Sequence, residues 1–352
     1  MPVDKSKIEW TDSTWSPVTG CTKVSPGCKF CYAERVAKRY WGARKFTDVK
    51  IHPDRLDQPL RWCRSRRVFV NSMSDLFHEA VSDEFLDQVF AVMARSDGTK
   101  LSGRPRVKRL LSAHTFQVLT KRPERMARYL SDPETPYRVA STVAKSYVGF
   151  YPARGGCDWS PWKPWPLPNV WLGVSVEDQA RADERIPWLL QTPAAVRFLS
   201  VEPLLGPVDL TKWLPFFFSF PGHLRRLGDE RAMQTNDDGS VLVQTADGGI
   251  AVRPALDWVI VGGESGGPPE RALVERCATS AWANFHGAAR KGCEACSGTG
   301  WAPKPEARTW VRSLRDQCVA AGVPFFYKQW GGPTPKAGGR MLEGREWNEY
   351  PR

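Results

Sequence analysis

Residues 170–202 read VWLGVSVEDQARADERIPWLLQTPAAVRFLSVE, and this stretch decides the fold. Val170–Val174 and Arg197–Val201 are continuous apolar runs, the pattern of strands that are buried on both faces of a parallel sheet. Between them, Glu177–Leu190 has helical character, and Pro187 is expected to interrupt the end of this helix. A strand, a helix and a second strand in this order predict one βαβ unit of an α/β protein.

The same alternation recurs along the rest of the chain. Five further apolar runs predict strands at Trp15–Thr19, Val68–Asn71, Phe116–Leu119, Trp258–Val261 and Pro324–Tyr327. Helices are predicted from Tyr32 to Tyr40, after the N-cap Ser82, from Pro123, and through Val311, Leu314 and Cys318 to a stop at Gly322. An open doubly wound sheet or a barrel would fit this alternation. About six strong βα units favour a partial (β/α) barrel of about six to seven parallel strands.

Four stretches interrupt the βα alternation. They are residues 97–113, 131–168, 207–255 and 272–306. None except 207–255 is clearly long enough for a core of its own, because small segments bury too little apolar surface. We therefore expect one domain over residues 1–352, with these four stretches as insertions, the last of them a candidate zinc-binding one.

The positive charge of the chain is concentrated in two segments. Lys and Arg number 50 against 38 Asp and Glu, a net charge of +12. Residues 35–67 hold eleven basic and three acidic side chains, and residues 95–128 hold ten basic and two acidic ones, so each segment carries +8. This distribution favours a polyanion such as nucleic acid as partner, and a solvated basic face is the alternative. The candidate phosphate contacts are Arg104, Arg106, Lys108, Arg109, Lys121 and Arg122.

Targeting and membrane signals are not seen in the sequence. No run approaches the roughly 20 apolar residues that span a bilayer. The first ten residues, MPVDKSKIEW, have no apolar stretch that could act as a secretion signal. We therefore expect a cytoplasmic protein without a membrane partner. In a reducing cytosol, clustered cysteines bind metal or do redox chemistry more often than they form disulfides.

Three cysteines follow the first predicted strand. They lie in Gly20–Glu34, GCTKVSPGCKFCYAE, with the spacing C-x6-C-x2-C and with no fourth Cys or His nearby. A structural zinc site takes four protein ligands. Cys21, Cys28 and Cys31 leave one position open, which suits a [4Fe–4S] cluster whose unique iron binds a small molecule. A purely structural iron–sulfur or zinc loop is the alternative.

The loop resembles the signature of the radical S-adenosylmethionine (radical SAM) superfamily, C-x3-C-x-aromatic-C. Cys28-Lys29-Phe30-Cys31 is similar to its second half, with Phe30 at the aromatic position, whereas six residues instead of three separate Cys21 from Cys28. Tyr32 resembles the C-x-aromatic-C-Tyr form of the spore photoproduct lyase branch. The wider chain is similar to a phage and bacterial family with a three-cysteine motif, in the stretches IEWTDSTWSPVTGC, RVFVNSMSDLFHE, QVLTKRPERM, NVWLGVSVEDQ, RFLSVEPLLGP, WVIVGGESG and VPFFYKQWG.

The resemblance implies a radical SAM enzyme. Its [4Fe–4S] cluster would bind S-adenosylmethionine (SAM), take an electron from a donor protein, and cleave SAM to methionine and a 5′-deoxyadenosyl radical that abstracts a substrate hydrogen. Together with the basic segments, this predicts an enzyme that repairs or modifies nucleic acid. Two alternatives stay open: a non-catalytic, metal-stabilised nucleic-acid-binding protein, and a radical SAM enzyme with a protein or small-molecule substrate.

Polar residues follow most of the predicted strands, where ligands of α/β proteins bind. Gly262-Gly263-Glu264 resembles in letters the Gly-Gly-Glu motif that binds the methionine amino group in the radical SAM superfamily, although it follows a later strand. The glycines would allow close approach of the backbone to a ligand, and polar side chains would contact it. Each of these residues could equally be a cap or a loop residue. The predicted cofactor contacts are Phe30, Ser72, Ser74, Ser175, Glu202, Gly262, Gly263 and Glu264.

A second group of soft ligands lies in the last insertion. Its members are Cys277, His286, Cys293 and Cys296, and Cys293-Glu294-Ala295-Cys296 is followed by Ser-Gly-Thr-Gly. Four such ligands in about twenty residues predict a structural zinc site, and the glycines would let backbone amides turn toward the thiolates. A reduced cysteine pair in a flexible loop and a second iron–sulfur cluster are the alternatives.

Overall fold

A computed structural model describes residues 6–96, 113–145, 164–215, 232–235, 241–243, 250–252, 255–277, 293, 295–296 and 298–351. Its strands are β1 (Ser13–Trp15), β2 (Val18–Thr19), β3 (Lys50–Ile51), β4 (Arg67–Val70), β5 (Thr115–Thr120), β6 (Val170–Val176), β7 (Val196–Val201), β8 (Ala232–Thr235), β9 (Val241–Val243), β10 (Ile250–Val252), β11 (Trp258–Gly262), β12 (Val274–Arg276), β13 (Trp301–Pro303) and β14 (Phe325–Gln329). Its α-helices are α1 (Tyr32–Tyr40), α2 (Asp83–Arg95), α3 (Pro123–Ser131), α4 (Thr135–Lys145), α5 (Gln179–Gln191) and α6 (Pro305–Ala320).

Seven of the strands form one parallel sheet, in the order β1–β4–β5–β6–β7–β11–β14. Within it, Val68 of β4 pairs with Phe116 of β5, and Val259 of β11 pairs with Phe325 of β14. Each of the seven apolar runs that predict a strand overlaps one strand of this sheet. The α/β fold class, a partial (β/α) barrel of six to seven parallel strands, is confirmed.

The inner strands of the sheet are mostly apolar, and residues on both of their faces are buried. Phe116 and Val118 of β5 are fully buried, and so is Gln117 between them. All five residues of β11 are buried as well. Alternation of polar and apolar residues is therefore absent, as expected for the inner strands of a parallel sheet.

The chain divides into two compact units. The first comprises Met1–Val24, Cys31–Val174 and Thr192–Val196, and it contains β1 to β5, most of β6 and α1 to α4. The second comprises Ser25–Phe30, Ser175–Gln191 and Arg197–Arg352, and it contains most of β7, the later strands, α5 and α6. The cysteine loop is thereby divided, since Cys21 and Cys31 belong to the first unit and Cys28 belongs to the second.

Helix α2 begins where the sequence predicts it. The Ser82 side chain accepts a hydrogen bond from the backbone N–H of Phe85 at 3.3 Å, which caps the helix. One face of the helix is apolar and buried, with Leu86 and Met93 fully inaccessible to solvent. At the end of α6, Gly322 has φ of 60°, a left-handed conformation that favours glycine and stops the helix.

Helix α5 corrects one prediction. Pro187 lies inside the helix, which continues to Gln191, so it does not interrupt the helix as the sequence suggests. Proline removes a single backbone donor. Ile186 and Leu189 on either side of it are fully buried, and this packing holds the chain helical through the proline.

The insertions contain secondary structure that the sequence did not predict. Helix α4 lies in residues 131–168, and β12 pairs antiparallel with β13 inside residues 272–306. Strands β8, β9 and β10 form a three-stranded antiparallel sheet in residues 207–255. Among the residues that the structure describes, no helix combines the length and the apolar character needed to cross a bilayer.

Candidate functional site

The backbone before Cys21 is held tightly in the first unit. Gly20 follows β2 with φ of 95°, and a Cβ atom there would lie 2.6 Å from the Asp48 carbonyl oxygen. Its N–H donates to the Met73 carbonyl at 3.0 Å, and the Cys21 N–H donates to the Phe46 carbonyl at 2.9 Å. Only glycine fits this close approach. The first cysteine of the loop therefore starts from a fixed position.

Arg122 provides a cation beside the Cys21 sulfur. It follows β5, it is only 7% exposed, and its Nη1 lies 3.5 Å from the Cys21 Sγ. Its Nη2 donates to the Thr22 Oγ1 at 2.8 Å, and it forms ion pairs with Asp75 at 3.3 Å and Glu79 at 3.0 Å. Burial lowers the pKa of Arg122, but the negative groups around it outweigh this and raise the pKa above its ordinary value. A fixed guanidinium favours the thiolate form of a neighbouring cysteine.

This contact changes the role that the sequence assigned to Arg122. As a cation at a strand end, it was predicted to contact phosphate. Its donors are instead directed to groups of the chain itself, and little of its surface reaches solvent. We therefore assign Arg122 to the cysteine loop and remove it from the phosphate contacts.

Asp75 anchors the Arg122 site to the carboxyl ends of the strands. Its carboxylate accepts hydrogen bonds from the Thr120 hydroxyl at 2.7 Å and from the backbone N–H of Lys121 at 2.9 Å. The His78 ring supports the same region: Nδ1 accepts from the Ala80 N–H at 3.1 Å, so the proton is assigned to Nε2, which lies 2.9 Å from the Thr22 hydroxyl. Burial is the main cause that lowers the pKa of His78, so the ring is neutral at physiological pH.

The two serines after β4 are used by the chain itself. The Ser74 hydroxyl donates to the Val18 carbonyl at 2.9 Å, and the Ser72 hydroxyl lies 3.4 Å from that of Ser16. The Tyr32 hydroxyl, on α1, donates to the Ser72 carbonyl. Both predicted contacts therefore have structural partners in the first unit.

Asn71 is a buried group that the sequence analysis did not single out. It follows β4 directly and is 3% exposed. Neither its amide oxygen nor its amide nitrogen has a hydrogen-bond partner among the described residues. An unpaired buried amide costs free energy, and such groups mark places where a ligand or water binds. Its position after a predicted strand is the signal that could have found it.

In the second unit, two ion pairs hold the segment that contains Cys28. The Gly27 N–H donates to Glu177 Oε1 at 3.1 Å, and a Cβ on Gly27 would lie 3.0 Å from that carboxyl carbon. Glu177 and Arg185 are 0% and 1% exposed and pair at 3.2 Å. Since a buried charge needs a partner, this pair is a fixed anchor for the segment.

Arg271 is the second anchor of this segment. Its two terminal nitrogens each lie 3.2 Å from the Pro26 carbonyl oxygen, and its guanidinium carbon lies 5.0 Å from the Phe30 ring centroid. It binds Glu264 in bidentate fashion, with Nε and Nη2 at 2.7 and 3.1 Å from the two carboxylate oxygens. Phe30 and Glu264, both predicted cofactor contacts, are thus joined through Arg271.

The other predicted contacts of the second unit lie at the ends of β6, β7 and β11. Glu202 pairs with Lys328 at 2.5 Å, and a Cβ on Gly262 would lie 3.3 Å from the Glu202 carboxyl carbon. The Ser175 hydroxyl donates to the Glu202 carbonyl at 3.1 Å. Gly263 serves packing, because a Cβ there would meet the Trp330 carbonyl oxygen at 2.1 Å.

The second cysteine group is brought together by β12 and the turn before β13. Cys277, Cys293 and Cys296 have their sulfur atoms within 4.8 Å of one another, and among the described residues they form the one group of three Cys, His, Asp or Glu ligands this close. Cys277 and Cys296 are 3% and 5% exposed. These three cysteines could hold a metal ion.

Glycines direct backbone amides toward this group. Gly298 and Gly300 both have φ of 80°, and their N–H groups bond to the Cys296 sulfur. Burial is the main cause that raises the pKa of Cys296, and these two N–H bonds act in the opposite direction. The Cys277 N–H donates to the Gly300 carbonyl at 3.0 Å. This is the arrangement of amides that the sequence of the segment predicts.

Several predicted site residues lie outside the described part of the chain. They are His286, Arg104, Arg106, Lys108 and Arg109. The fourth ligand of the second group and the basic loop therefore stay predictions. Of the candidate phosphate contacts, the structure describes Lys121 and Arg122.

Comparison with known proteins identifies one family. The model of the family described as "Protein of unknown function (DUF5131)" matches residues 5–295 and 292–351. No curated protein and no solved structure matches the chain.

Proposed function

The chain belongs to the DUF5131 family, and we propose that it is a radical SAM enzyme that acts on nucleic acid. In this proposal Cys21, Cys28 and Cys31 hold a [4Fe–4S] cluster. When bound and reduced, the cluster supplies the electron that cleaves SAM to methionine and a 5′-deoxyadenosyl radical. The chain's own residues fix the thiolates, bind the cofactor and orient the substrate.

The donor set of the loop fits such a cluster. Each of the three cysteines is half-buried and none is in a disulfide, so each sulfur is available to a soft metal. Because each thiolate of a cluster binds a different iron, the thiolates lie farther apart than the ligands of a single ion. Close mutual contact, as in the second cysteine group, is therefore not required of them.

The observation that carries the proposal is the guanidinium of Arg122 at 3.5 Å from the Cys21 sulfur. A cluster held by three thiolates has a net negative charge, and a buried cation beside it offsets that charge. Asp75 and Glu79 fix the cation at the carboxyl ends of parallel strands, the edge where α/β proteins bind ligands. Its bonds to Thr22, Asp75 and Glu79 would hold this cation in place beside the cluster.

Each unit, taken by itself, has one feature that would serve SAM binding. The unpaired amide of Asn71 offers a donor and an acceptor from a buried position in the first unit. In the second unit, the Glu202–Lys328 pair offers one negative and one positive group, which complement the ammonium and carboxylate of the methionyl part. Glu264 is already bound by Arg271, so we propose that it holds the loop and does not contact SAM directly.

Nucleic acid is the proposed substrate because of the charge distribution. The two segments at 35–67 and 95–128 each carry +8, and residues 68–94 separate them in the sequence. Arg104, Arg106, Lys108 and Arg109 belong to the second segment and would bind phosphates by charge. Lys121, at the end of β5, would extend the same basic surface.

The second cysteine group is proposed as a structural zinc site. Three thiols in mutual contact and amides turned toward sulfur are features of closed zinc–thiolate sites. His286 is the proposed fourth ligand. Such a site would stabilise residues 272–306, which have little apolar core of their own.

Anaerobic reconstitution tests the enzyme. Wild-type chain should bind about four irons and, once reduced, convert SAM to methionine and 5′-deoxyadenosine. The triple variant Cys21→Ala, Cys28→Ala, Cys31→Ala should lose the iron and the product. Cys63→Ala is the matched control, because Cys63 is an exposed cysteine outside both groups, and it should keep both.

Two results would overturn the proposal. Full iron content in the triple variant would move the cluster away from this loop. A reduced, iron-loaded wild-type chain that does not bind SAM would favour the non-catalytic nucleic-acid-binding alternative. If no nucleic acid stimulates the cleavage of SAM, the proposal of a radical SAM enzyme would stand. The proposed substrate would then be a protein or a small molecule.

A further inference from the structure

Helix α1 exposes a stripe of large side chains. Tyr32, Val36 and Tyr40 are 48%, 38% and 70% exposed and recur every four residues. At about 100° per residue, this spacing puts them on one face of the helix. The inner face is packed, since Ala33 and Ala37 are 4% and 1% exposed. The stripe borders this packed face, and we call the exposed surface that carries it the outer face of α1.

Cations share this face with the stripe. Arg35 and Arg39 are exposed, and each lies three residues after a member of the stripe, so both project on the same side. The guanidinium carbon of Arg39 lies 5.5 Å from the Tyr40 ring centroid. The one acidic residue of the helix, Glu34, is paired with two lysines. The outer face of α1 thus combines aromatic rings and arginines without an unpaired acid.

The aromatic rings and arginines of this face favour one class of ligand. Exposed aromatic rings stack on bases of any sequence, and arginines beside them bind the phosphates between those bases. A duplex hides the faces of its bases, so this combination suits a single strand. Surfaces that dock proteins are depleted of charge at their centre, whereas here Arg39 lies beside the most exposed ring. The net charge of +8 over residues 35–67 adds long-range attraction for a polyanion.

We propose that the outer face of α1 binds single-stranded nucleic acid, with Tyr40 as a stacking platform and Arg35 and Arg39 as phosphate contacts. The inference rests on the nucleic-acid part of the proposed function and is independent of the radical chemistry. The helix begins directly after Cys31, so a strand bound here would lie next in sequence to the cysteine loop. Tyr40 would bind the strand by stacking and without sequence specificity, because every base has a stacking face.

Fluorescence anisotropy with a labelled single-stranded oligonucleotide of mixed sequence tests this proposal on the reconstituted full chain. Tyr40→Ala should weaken binding by about 5- to 100-fold, the effect of losing one stacked base. Tyr40→Phe keeps the ring and should bind like the wild type. Because Tyr40 is 70% exposed, neither change should alter the thermal midpoint of unfolding.

The salt dependence of binding tests the two arginines. Arg35→Ala with Arg39→Ala should flatten the log–log salt slope by about 1.4 to 1.8, because each phosphate contact contributes about 0.7 to 0.9. Arg61→Ala with Arg64→Ala is the matched control, since it removes two exposed arginines from the same basic segment. This control should leave the slope unchanged within error. Tyr40→Ala should also leave the slope unchanged, because stacking releases no counterion.

Any of several results would overturn the inference. Among them are wild-type affinity in Tyr40→Ala, an equal change of slope in the control pair, and binding of duplex as tight as that of single strand. A wild-type chain that cleaves SAM but binds no oligonucleotide would also overturn it, and the radical chemistry would stand. Tyr40-dependent binding by a chain that cannot cleave SAM would support the inference and overturn the enzyme.

Discussion

The two cysteine groups of this chain have the same ligand chemistry in different surroundings. Cys21, Cys28 and Cys31 are half-buried, and a guanidinium lies beside the first of them. Cys277 and Cys296 are almost fully buried, and two backbone N–H groups bond to the Cys296 sulfur. In the proposed function, the first group would bind a cluster that accepts an electron and SAM, whereas the second would be a structural metal site. The two groups differ in burial and in the charge beside them.

The largest expected effect comes from removing one ligand of the second cysteine group. Cys293→Ser should reduce zinc from about one ion per chain to none, because three remaining ligands bind zinc weakly. A structural zinc contributes about 10–16 kcal/mol in zinc-finger peptides, so residues 272–306 should become sensitive to protease. Metal analysis and limited proteolysis measure this. The triple cysteine-to-alanine variant of the first loop is the control and should keep its zinc. Full zinc content in Cys293→Ser would show that the second group is not the zinc site, and the proposed difference between the two groups would fail.

A smaller effect is expected at the cation of the first group. Arg122→Ala leaves Asp75 buried without its charge partner, which should lower the free energy of unfolding by about 3–5 kcal/mol. Arg122→Lys keeps the charge and should lose less, but it cannot reach Cys21, Thr22 and Glu79 together. Denaturant unfolding of the chain measures both. The iron content after reconstitution should fall in the same order. If the wild type and Arg122→Ala had the same free energy of unfolding, Arg122 would not be a needed charge partner of Asp75. The proposed difference in charge between the two cysteine groups would then be refuted.

The smallest effect concerns pH. The described histidines, His52, His78 and His114, all belong to the first unit, and burial is the main cause that lowers the pKa of each below 6.5. A lowered pKa means that folding favours the neutral ring. The stabilisation is present above about pH 6.5 and is lost as the pH falls, by about 1.4 kcal/mol for each unit of pKa difference.

Hydrogen exchange at pH 7.5 and pH 6, corrected for intrinsic rates, measures this loss. Amides of β5 should lose protection on acidification, and amides of β11 should change less. His114→Gln keeps a donor for the Pro59 carbonyl, which lies 3.1 Å from Nε2 in the wild type, and should reduce the pH dependence. Equal loss of protection in both strands would argue against a difference between the units.

The fold was largely predictable because the parallel strands are mostly apolar runs, since both faces of the sheet are covered. The seven runs stand out in the sequence for this reason, and turn residues separate them. Helix α4 was missed because its packing depends on distant residues: Arg138 pairs with Asp87 of α2 at 3.2 Å. Local propensity does not contain such a contact. The same reason explains why Pro187 was expected to end α5.

The candidate site was predictable in its cysteines but not in their anchors. Cysteine spacing is local, so it can be found in the sequence. The bond between Gly27 and Glu177 joins residues 150 positions apart, and nothing in either local sequence indicates it. Arg122 shows the same limit. Its basic character predicts a phosphate contact, and only the tertiary structure shows that it pairs with the buried Asp75. Charges whose partners lie far along the chain need tertiary information.

The six residues between Cys21 and Cys28 have a consequence for how this loop can vary in length. The stretch includes Pro26 and Gly27, whose carbonyl and amide bind Arg271 and Glu177. A deletion that restored the three-residue spacing of the radical SAM signature would leave a buried carboxylate and a guanidinium without these backbone partners. We therefore expect the extra residues of the loop and the two residues that bind them, Glu177 and Arg271, to be gained or lost together in sequence change.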